Sequence, residues 1–372
     1  MEPTRFSAAA ASRAWRRARA AHRQRLGDKL QTVSAQPENR ARNKRRILKS
    51  GLLGASLTLG FLVVVGGIYQ HVEERNDLVR HPPPGELVDI GGFRLHIHCD
   101  GEGAPTVIVE TGYGDYSISW MGIQSSLTAE TRFCIYDRAG VGWSESDTQL
   151  PTKPRVAENL TKLLLNSGEN GPYVLVGHSW GGVLAREYAA SYPEQIAGLV
   201  LVDSAHESQW RHLPDGAWPE LESELNRRLI LCRLGAPLGM VRLLGIWEEA
   251  LPASLPEEVR GPRIAALNRR HHCAADSKAR IAMGMDLRQS DPPRRLGDIP
   301  LIVLTRGAGE GGNGAPTDGD GAEWEATWLN LQRELAALST NSEHRIVEAG
   351  HNIHLQQPSA VVDAIRELVG IQ

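Results

Sequence analysis

Tyr173-Val174-Leu175-Val176-Gly177-His178-Ser179-Trp180-Gly181-Gly182-Val183-Leu184-Ala185-Arg186-Glu187-Tyr188 is the stretch whose reading decides the fold. Four apolar or aromatic residues run into Gly-x-Ser-x-Gly, and Leu184 and Tyr188, four apart, then set a helical period. The pattern is a buried strand, a tight turn and a helix, with Ser179 where the period changes. Gly177 and Gly181 suit a strained turn in which any Cβ would crowd the strand and helix. Such a turn lifts the Ser179 hydroxyl clear of the sheet and aims the first N–H groups of the helix at whatever it attacks. A plain Gly/Ser turn is the structural alternative; the strand before and the helix after favour a nucleophile.

Working outward, the same rhythm repeats. Ala197–Val202 is a fully apolar strand that ends at Asp203. Upstream, Leu87–Ile90 and Arg94–Cys99 form a hairpin through Gly91-Gly92, Thr106–Glu110 leads into Thr111-Gly112-Tyr113-Gly114, and Phe133–Tyr136 leads into Asp137-Arg138. A helix over Arg155–Asn166 carries Val156, Leu160, Leu163 and Leu164 on one face. Downstream, Leu301–Thr305 and His344–Glu348 are strands, the second delivering Ala349-Gly350-His351; helices are expected over Ala322–Leu338 and Ser359–Val369. Strands alternating with helices imply a mostly parallel sheet covered on both faces. Residues 206–297 break the rhythm: helical patches near 218–234, 238–247, 256–272 and 274–289, and no convincing strand, read as a helical cap.

The ends of the chain differ in charge. Residues 1–49 hold fourteen Lys and Arg against Glu2, Asp28 and Glu38, a net +11, so the remainder carries −14 of a total of −3. With no sustained apolar face, this basic arm is expected to be disordered or transiently helical. Nucleic acid is one partner for such an arm and anionic lipid the other. Ser50–Tyr69 favours lipid: twenty residues without a charge span about 30 Å as a helix, the thickness of a bilayer core. Arg45, Arg46 and Lys49 precede it, while Glu73, Glu74 and Asp77 outnumber Arg75 and Arg80 after it, which places the N-terminus in the cytoplasm and the rest outside. A cleaved signal peptide is the alternative, with only Val65-Gly66-Gly67 as a weak small-residue site. His81-Pro82-Pro83-Pro84-Gly85 is a stiff spacer before the globular part.

This order of elements and motifs resembles the α/β-hydrolase family over residues 86–372. The resemblance implies an eight-stranded, mostly parallel sheet with helices on both faces and a helical cap, here preceded by one transmembrane helix. It divides the chain into a basic arm (1–49), a transmembrane helix (50–70), a linker (71–85), a hydrolase core (86–205 and 298–372) and the cap (206–297). It also implies a catalytic triad: Ser179 as nucleophile, His351 as base and an acid after the sixth or seventh strand. His354, three residues on, competes with His351, but His351 directly follows the glycine at the strand end. A metal shared by the two is not expected, because no acid or cysteine lies near at ligand spacing. Asp203 at the end of a rigid strand is the preferred acid; Glu310, then Asp318 and Asp320, follow on a Gly-rich loop. Backbone N–H groups of Trp180 and Tyr113 occupy the family's oxyanion-hole positions, although Thr111 stands where a histidine is usual. Asp137 and Arg138 are expected to fix the turn after the fourth strand.

The resemblance and the residues together imply hydrolysis of a carboxylic ester through an acyl-enzyme, with no cofactor, no metal and no nucleic-acid partner. Amide, thioester or lactone cleavage on the same triad, or a ligand receptor that keeps the fold without turnover, are the alternatives. Related folds that open epoxides or remove halide use aspartate in place of the serine. Gly307-x-Gly309-x-x-Gly312 imitates a dinucleotide fingerprint but opens no helix. Cys99 and Cys134 fall on strands that neighbour each other in the family's sheet, and Cys232 and Cys273 both fall in the cap, so those two disulfides are expected. Trp210, Trp218, Leu221, Leu225, Leu229, Leu243, Leu244, Ile246 and Trp247 give the cap an apolar inventory that fits a hydrophobic acyl group or the cap's own core.

Overall fold

A computed structural model describes residues 8–212, 230–251, 257–288, 293–307 and 321–370. The chain forms two compact units, Met1–Val65 and Gly66–Gln372. Helix α1 (Ala8–Arg80) runs through the first unit into the second. The basic arm, expected to be disordered or transiently helical, is helical in it from Ala8, because Ala, Arg, Gln, Lys and Leu all favour helix even where no apolar face demands one. Within α1, Arg42–Arg80 is long and apolar enough to cross a membrane.

The second unit is built on eight strands: β1 (Glu86–Asp89), β2 (Arg94–Asp100), β3 (Thr106–Glu110), β4 (Phe133–Tyr136), β5 (Tyr173–His178), β6 (Ile196–Val202), β7 (Leu301–Arg306) and β8 (Ser342–Val347). Their order is β1-β2-β4-β3-β5-β6-β7-β8, antiparallel for β1, β2 and β4 and parallel from there on. Side chains alternate across this sheet. Leu175, Leu199, Leu201 and Val303 face one layer with α3 (Lys153–Asn166), α4 (Trp180–Ser191) and, after the sheet insertion, the helix Gly321–Ala336. Their neighbours Val174, Val176, Val200, Val202 and Ile302 face the other layer with α2 (Met121–Leu127) and the closing helix Pro358–Val369. Burial on both faces is why the central strands read as unbroken apolar runs rather than alternating ones. Each such side chain contributes about 1.5–3 kcal/mol, which fixes the strand ends that carry the polar residues.

Between β6 and β7 the described residues form helices and turns and no strand: α5 (Met240–Leu243), α6 (Ile246–Ala250), α7 (Glu257–Leu267) and α8 (His272–Asp286). The helix expected over 238–247 is two short ones, because Gly245 at φ 61° ends the first. The patch at 218–229 lies outside the described residues. Gly321–Ala336, Ile353–Gln356 and Pro358–Val369 are α9, α10 and α11. Cys99 stands directly opposite Cys134 in the β2–β4 register and is bonded to it; Cys232 is bonded to Cys273 in the insertion. Leu243 and Leu244 are both exposed.

Candidate active site

Ser179 caps α4 with φ 52° and ψ −126°, one of two described non-glycine residues at positive φ. The strain is held from both sides: the Ser179 N–H donates to the Val202 carbonyl, and its own carbonyl accepts from Gly182 and Ala205. A Cβ at Gly177 would lie 2.6 Å from the Gly182 Cα, and one at Gly181 would collide with the carbonyls of Glu110 and Thr111. The two glycines of the motif are therefore required by close approach. The other residue at positive φ is Asp203, φ 38°, where β6 ends.

The ends of β5, β6 and β8 bring three side chains into line. His351 Nε2 is 3.0 Å from Ser179 Oγ, and His351 Nδ1 is 2.6 Å from Asp203 Oδ2. Asp203 is fully buried and braced on every side. It accepts from the Arg306 N–H at 3.1 Å, the Arg306 guanidinium at 2.9 Å and the Trp328 indole N–H at 2.9 Å. Burial alone would raise its pKa, but the hydrogen bond and charge of His351, then Arg306 and Trp328, outweigh it and hold the carboxyl below its usual range. The Arg306 guanidinium lies over the Trp328 ring at 4.5 Å, so the brace is packed as well as charged. Glu310, Asp318 and Asp320 lie outside the described residues.

Gly112, the residue before Tyr113, approaches the nucleophile turn: a Cβ on it would lie 3.3 Å from the Ser179 Cβ. Neither the Tyr113 nor the Trp180 backbone N–H donates to another group among the described residues. The loop that carries Tyr113 is held by Arg138, whose guanidinium donates to the Thr111 and Gly112 carbonyls at 2.7 Å each and to Glu110 at 3.2 Å. Arg138 thus fixes the loop after β3, not only the turn after its own strand. Asp137 keeps the expected part, accepting from the Ser117 and Trp143 N–H groups. Both Tyr113 and Trp180 send their side chains to one helix, α8: Tyr113 donates its hydroxyl to Asp276 at 2.9 Å and Trp180 its indole N–H to Asp286 at 3.0 Å. Burial pushes each carboxyl up to about 6, only partly offset by the hydrogen bond it accepts.

Behind His351 lies a polar nest with little sign in the sequence. His178 Nε2 is 3.0 Å from the His351 carbonyl oxygen, and its ring stands 4.5 Å from that of His354. His354 stacks on Trp120 at 4.5 Å and an interplanar angle of 4°. No acid stands at ligand spacing from His351 and His354 in the sequence, but the fold returns Asp115 to within 3.5 Å of His354 Nε2, so Asp115, His178 and His354, without His351, have the donors of a metal site. The Asp115 carboxylate is already engaged by Ser119 at 2.6 Å, Trp120 at 3.3 Å and the Arg263 guanidinium at 3.0 Å. A cation brought there would meet the charge of Arg263, so the nest is better suited to supporting His351 than to holding a metal. Only the pairing of distant segments creates it, which is why residue spacing missed it.

The profile of the alpha/beta hydrolase fold matches residues 105–233. The uncharacterized protein YbdG of Bacillus subtilis is 29% identical over 138 residues, 37% of this chain and 42% of its own length. YqjL of the same organism, also uncharacterized, is 25% identical over 283 residues, 75% of this chain and 89% of its own. Among solved structures, an esterase of Thermogutta terrifontis superposes with a TM-score of 0.52 at 24% identity, covering 76% of this chain and 96% of that one. The chain spans less than half of YbdG, and the structural likeness is one of fold.

Proposed function

We propose that this chain, which has the α/β-hydrolase fold, is a membrane-anchored serine hydrolase that cleaves carboxylic esters through an acyl-enzyme. One observation carries the reading: the continuous relay from Ser179 Oγ through His351 to a buried, braced Asp203. A serine hydroxyl is protonated at neutral pH and attacks poorly on its own. Here His351 Nε2 takes the Ser179 proton as Oγ bonds to the acyl carbon, while Asp203 holds the Nδ1–H tautomer and stabilises the imidazolium that forms. The carbonyl oxygen becomes an oxyanion and accepts from the Tyr113 and Trp180 N–H groups; loss of one such donor typically costs about 2.7–4 kcal/mol of barrier. Collapse breaks the bond to the leaving alcohol, which takes the proton from His351. Water then repeats the sequence on the acyl-enzyme and returns Ser179.

Arg42–Arg80 supplies the anchor, with Arg45, Arg46 and Lys49 on the cytoplasmic side. Two disulfides fit a catalytic unit outside the reducing cytoplasm. Extraction of the full chain from membranes by alkaline carbonate would remove the anchor from this account. For the chemistry, the test is a panel of esters of graded acyl length, with an amide, a thioester and a lactone beside them, on the full chain in detergent micelles. Ester turnover that disappears in Ser179→Ala supports the reading. Preferential cleavage of another class would reassign the substrate, and turnover that survives Ser179→Ala would reject the mechanism.

A further inference from the structure

The described part of the insertion between β6 and β7 exposes a run of large apolar side chains. Leu231, Leu234, Leu243 and Leu244 are 64–68% exposed, and Met240 and Ile246 flank them. Exposed apolar residues on the sheet half of this unit stand apart in the sequence, as at Leu165 and Ile346, and need no explanation. Six gathered within residues 231–246 make a patch, and a patch of that kind marks a contact with something apolar.

Its neighbour in the fold says what that is. The last turn of the uncharged stretch, Gly66–Tyr69, belongs to the same compact unit as the patch. A Cβ on Gly66 would lie 2.6 Å from the Leu238 carbonyl oxygen, and one on Gly239 would lie 2.6 Å from the Tyr69 ring. Patch residues Leu234 and Met240 bracket this point in the sequence. The turns that follow are fastened to the insertion: Gln70 donates to the Asn268 carbonyl at 2.6 Å, Glu74 accepts from Arg270 at 2.6 Å, and Asp77 accepts from Arg242 at 2.6 Å. Gln70 and Asp77 are buried in those contacts, while Ile68 and Val72 on the same turns remain exposed. Gln70 and Asp77 thus point into the protein, while the exposed side chains of these turns are a mixture of apolar Ile68, Val72, Leu78 and Val79 with His71, Arg75 and Arg80.

We propose that residues 231–246 rest in the outer boundary of the lipid bilayer, beside the point where the anchor helix leaves it, so that the hydrolase unit is held to the membrane at two places. The proposal rests on the anchor reading above and adds to it an occupant for the patch. A bilayer fits because the patch is apolar and lies against the last turn of the uncharged stretch, Gly66–Tyr69. Arg233, exposed within it, can rest its apolar stem on the patch and extend its guanidinium to lipid phosphates.

The test uses the full chain in nanodiscs of phosphatidylcholine and phosphatidylglycerol. The chain has no free thiol, so Leu243→Cys, Leu244→Cys, Leu57→Cys and Asp363→Cys can each take a single nitroxide label. The first two replace exposed side chains and leave the fold alone. Spin relaxation by oxygen, which partitions into lipid, is compared with relaxation by an aqueous nickel chelate. The expected result is an oxygen-to-nickel ratio at 243 and 244 well above that at 363 and approaching that at 57. A ratio at 243 and 244 equal to that at 363, with 57 in lipid, overturns the patch and leaves the anchor. Protection from both reagents, as at a contact with a second copy or another protein, overturns it as well. Label 57 in water would overturn both the anchor and the patch.

Discussion

The two halves of the second unit, the sheet with its loop ends and the helical insertion between β6 and β7, are held by different means. At the sheet, backbone geometry fixes the reacting groups: Ser179 and Asp203 both sit at positive φ, each pinned by hydrogen bonds to neighbouring strands. Among the described residues the insertion reaches the site through side chains, Asp276 to Tyr113, Asp286 to Trp180 and Arg263 to Asp115. Changes to the sheet residues should therefore abolish chemistry with little tolerance, while changes to the insertion should tune it. That contrast can be broken or sharpened by a graded set of substitutions.

The largest effect is expected at the relay. His351→Ala should lower kcat by about 10⁴-fold or more, as loss of a triad base does. Asp203→Asn should come close, and it should also destabilise the fold at neutral pH. Its folded pKa is depressed, so its contribution is present above the unfolded value near 3.8 and lost as pH falls through the folded one. Steady-state assays and thermal melts of both variants at pH 7 check the pair; a mild Asp203→Asn phenotype would point to an acid outside the described residues.

A smaller effect is expected from α8. Asp286→Ala leaves the buried Trp180 indole N–H unpaired and frees the residue whose backbone borders Ser179, so kcat should fall about tenfold, some 1.4 kcal/mol. Asp286→Asn keeps an acceptor and should restore most of it, with KM altered less than kcat in both. Equal losses in the two variants would deny the insertion its tuning role.

The smallest effect is on stability. Asp276 titrates near 6 against 3.8 unfolded, so the native state binds an extra proton between about pH 4 and 6. The associated stability is complete below 3.8 and lost as pH rises through 6. Asp276→Asn escapes that loss. Its melting temperature should gain on wild type by a few degrees between pH 5 and pH 7.5, and a constant difference would show that burial does not perturb Asp276.

How far the sequence foretold this follows from which contacts are local. The β5–turn–α4 unit is written in sixteen consecutive residues, the strand end that carries Asp203 is marked by an apolar run, and His351 is marked by the Ala349-Gly350 that precedes it. The Asp203 brace was not legible: Arg306 and Trp328 lie over a hundred residues away and look like ordinary strand and helix residues. The reach of Arg138 to the Tyr113 loop was hidden for the same reason, as was the return of Asp115 to His354. In the insertion, composition gave apolar residues but not their direction, so Leu243 and Leu244 fitted a core or an acyl site equally well until their exposure was seen.

The central claim is that Ser179 is a nucleophile driven by His351 and Asp203, and a phosphonate that traps such serines tests it most directly. The full chain is treated with a fluorophosphonate at pH 7.5 and digested, and the adduct is mapped by peptide mass spectrometry. The account predicts one stoichiometric adduct on Ser179, absent in Ser179→Ala and slowed by orders of magnitude in His351→Ala and Asp203→Asn. An unlabelled, folded wild type, or an adduct that forms equally fast without His351, would contradict it.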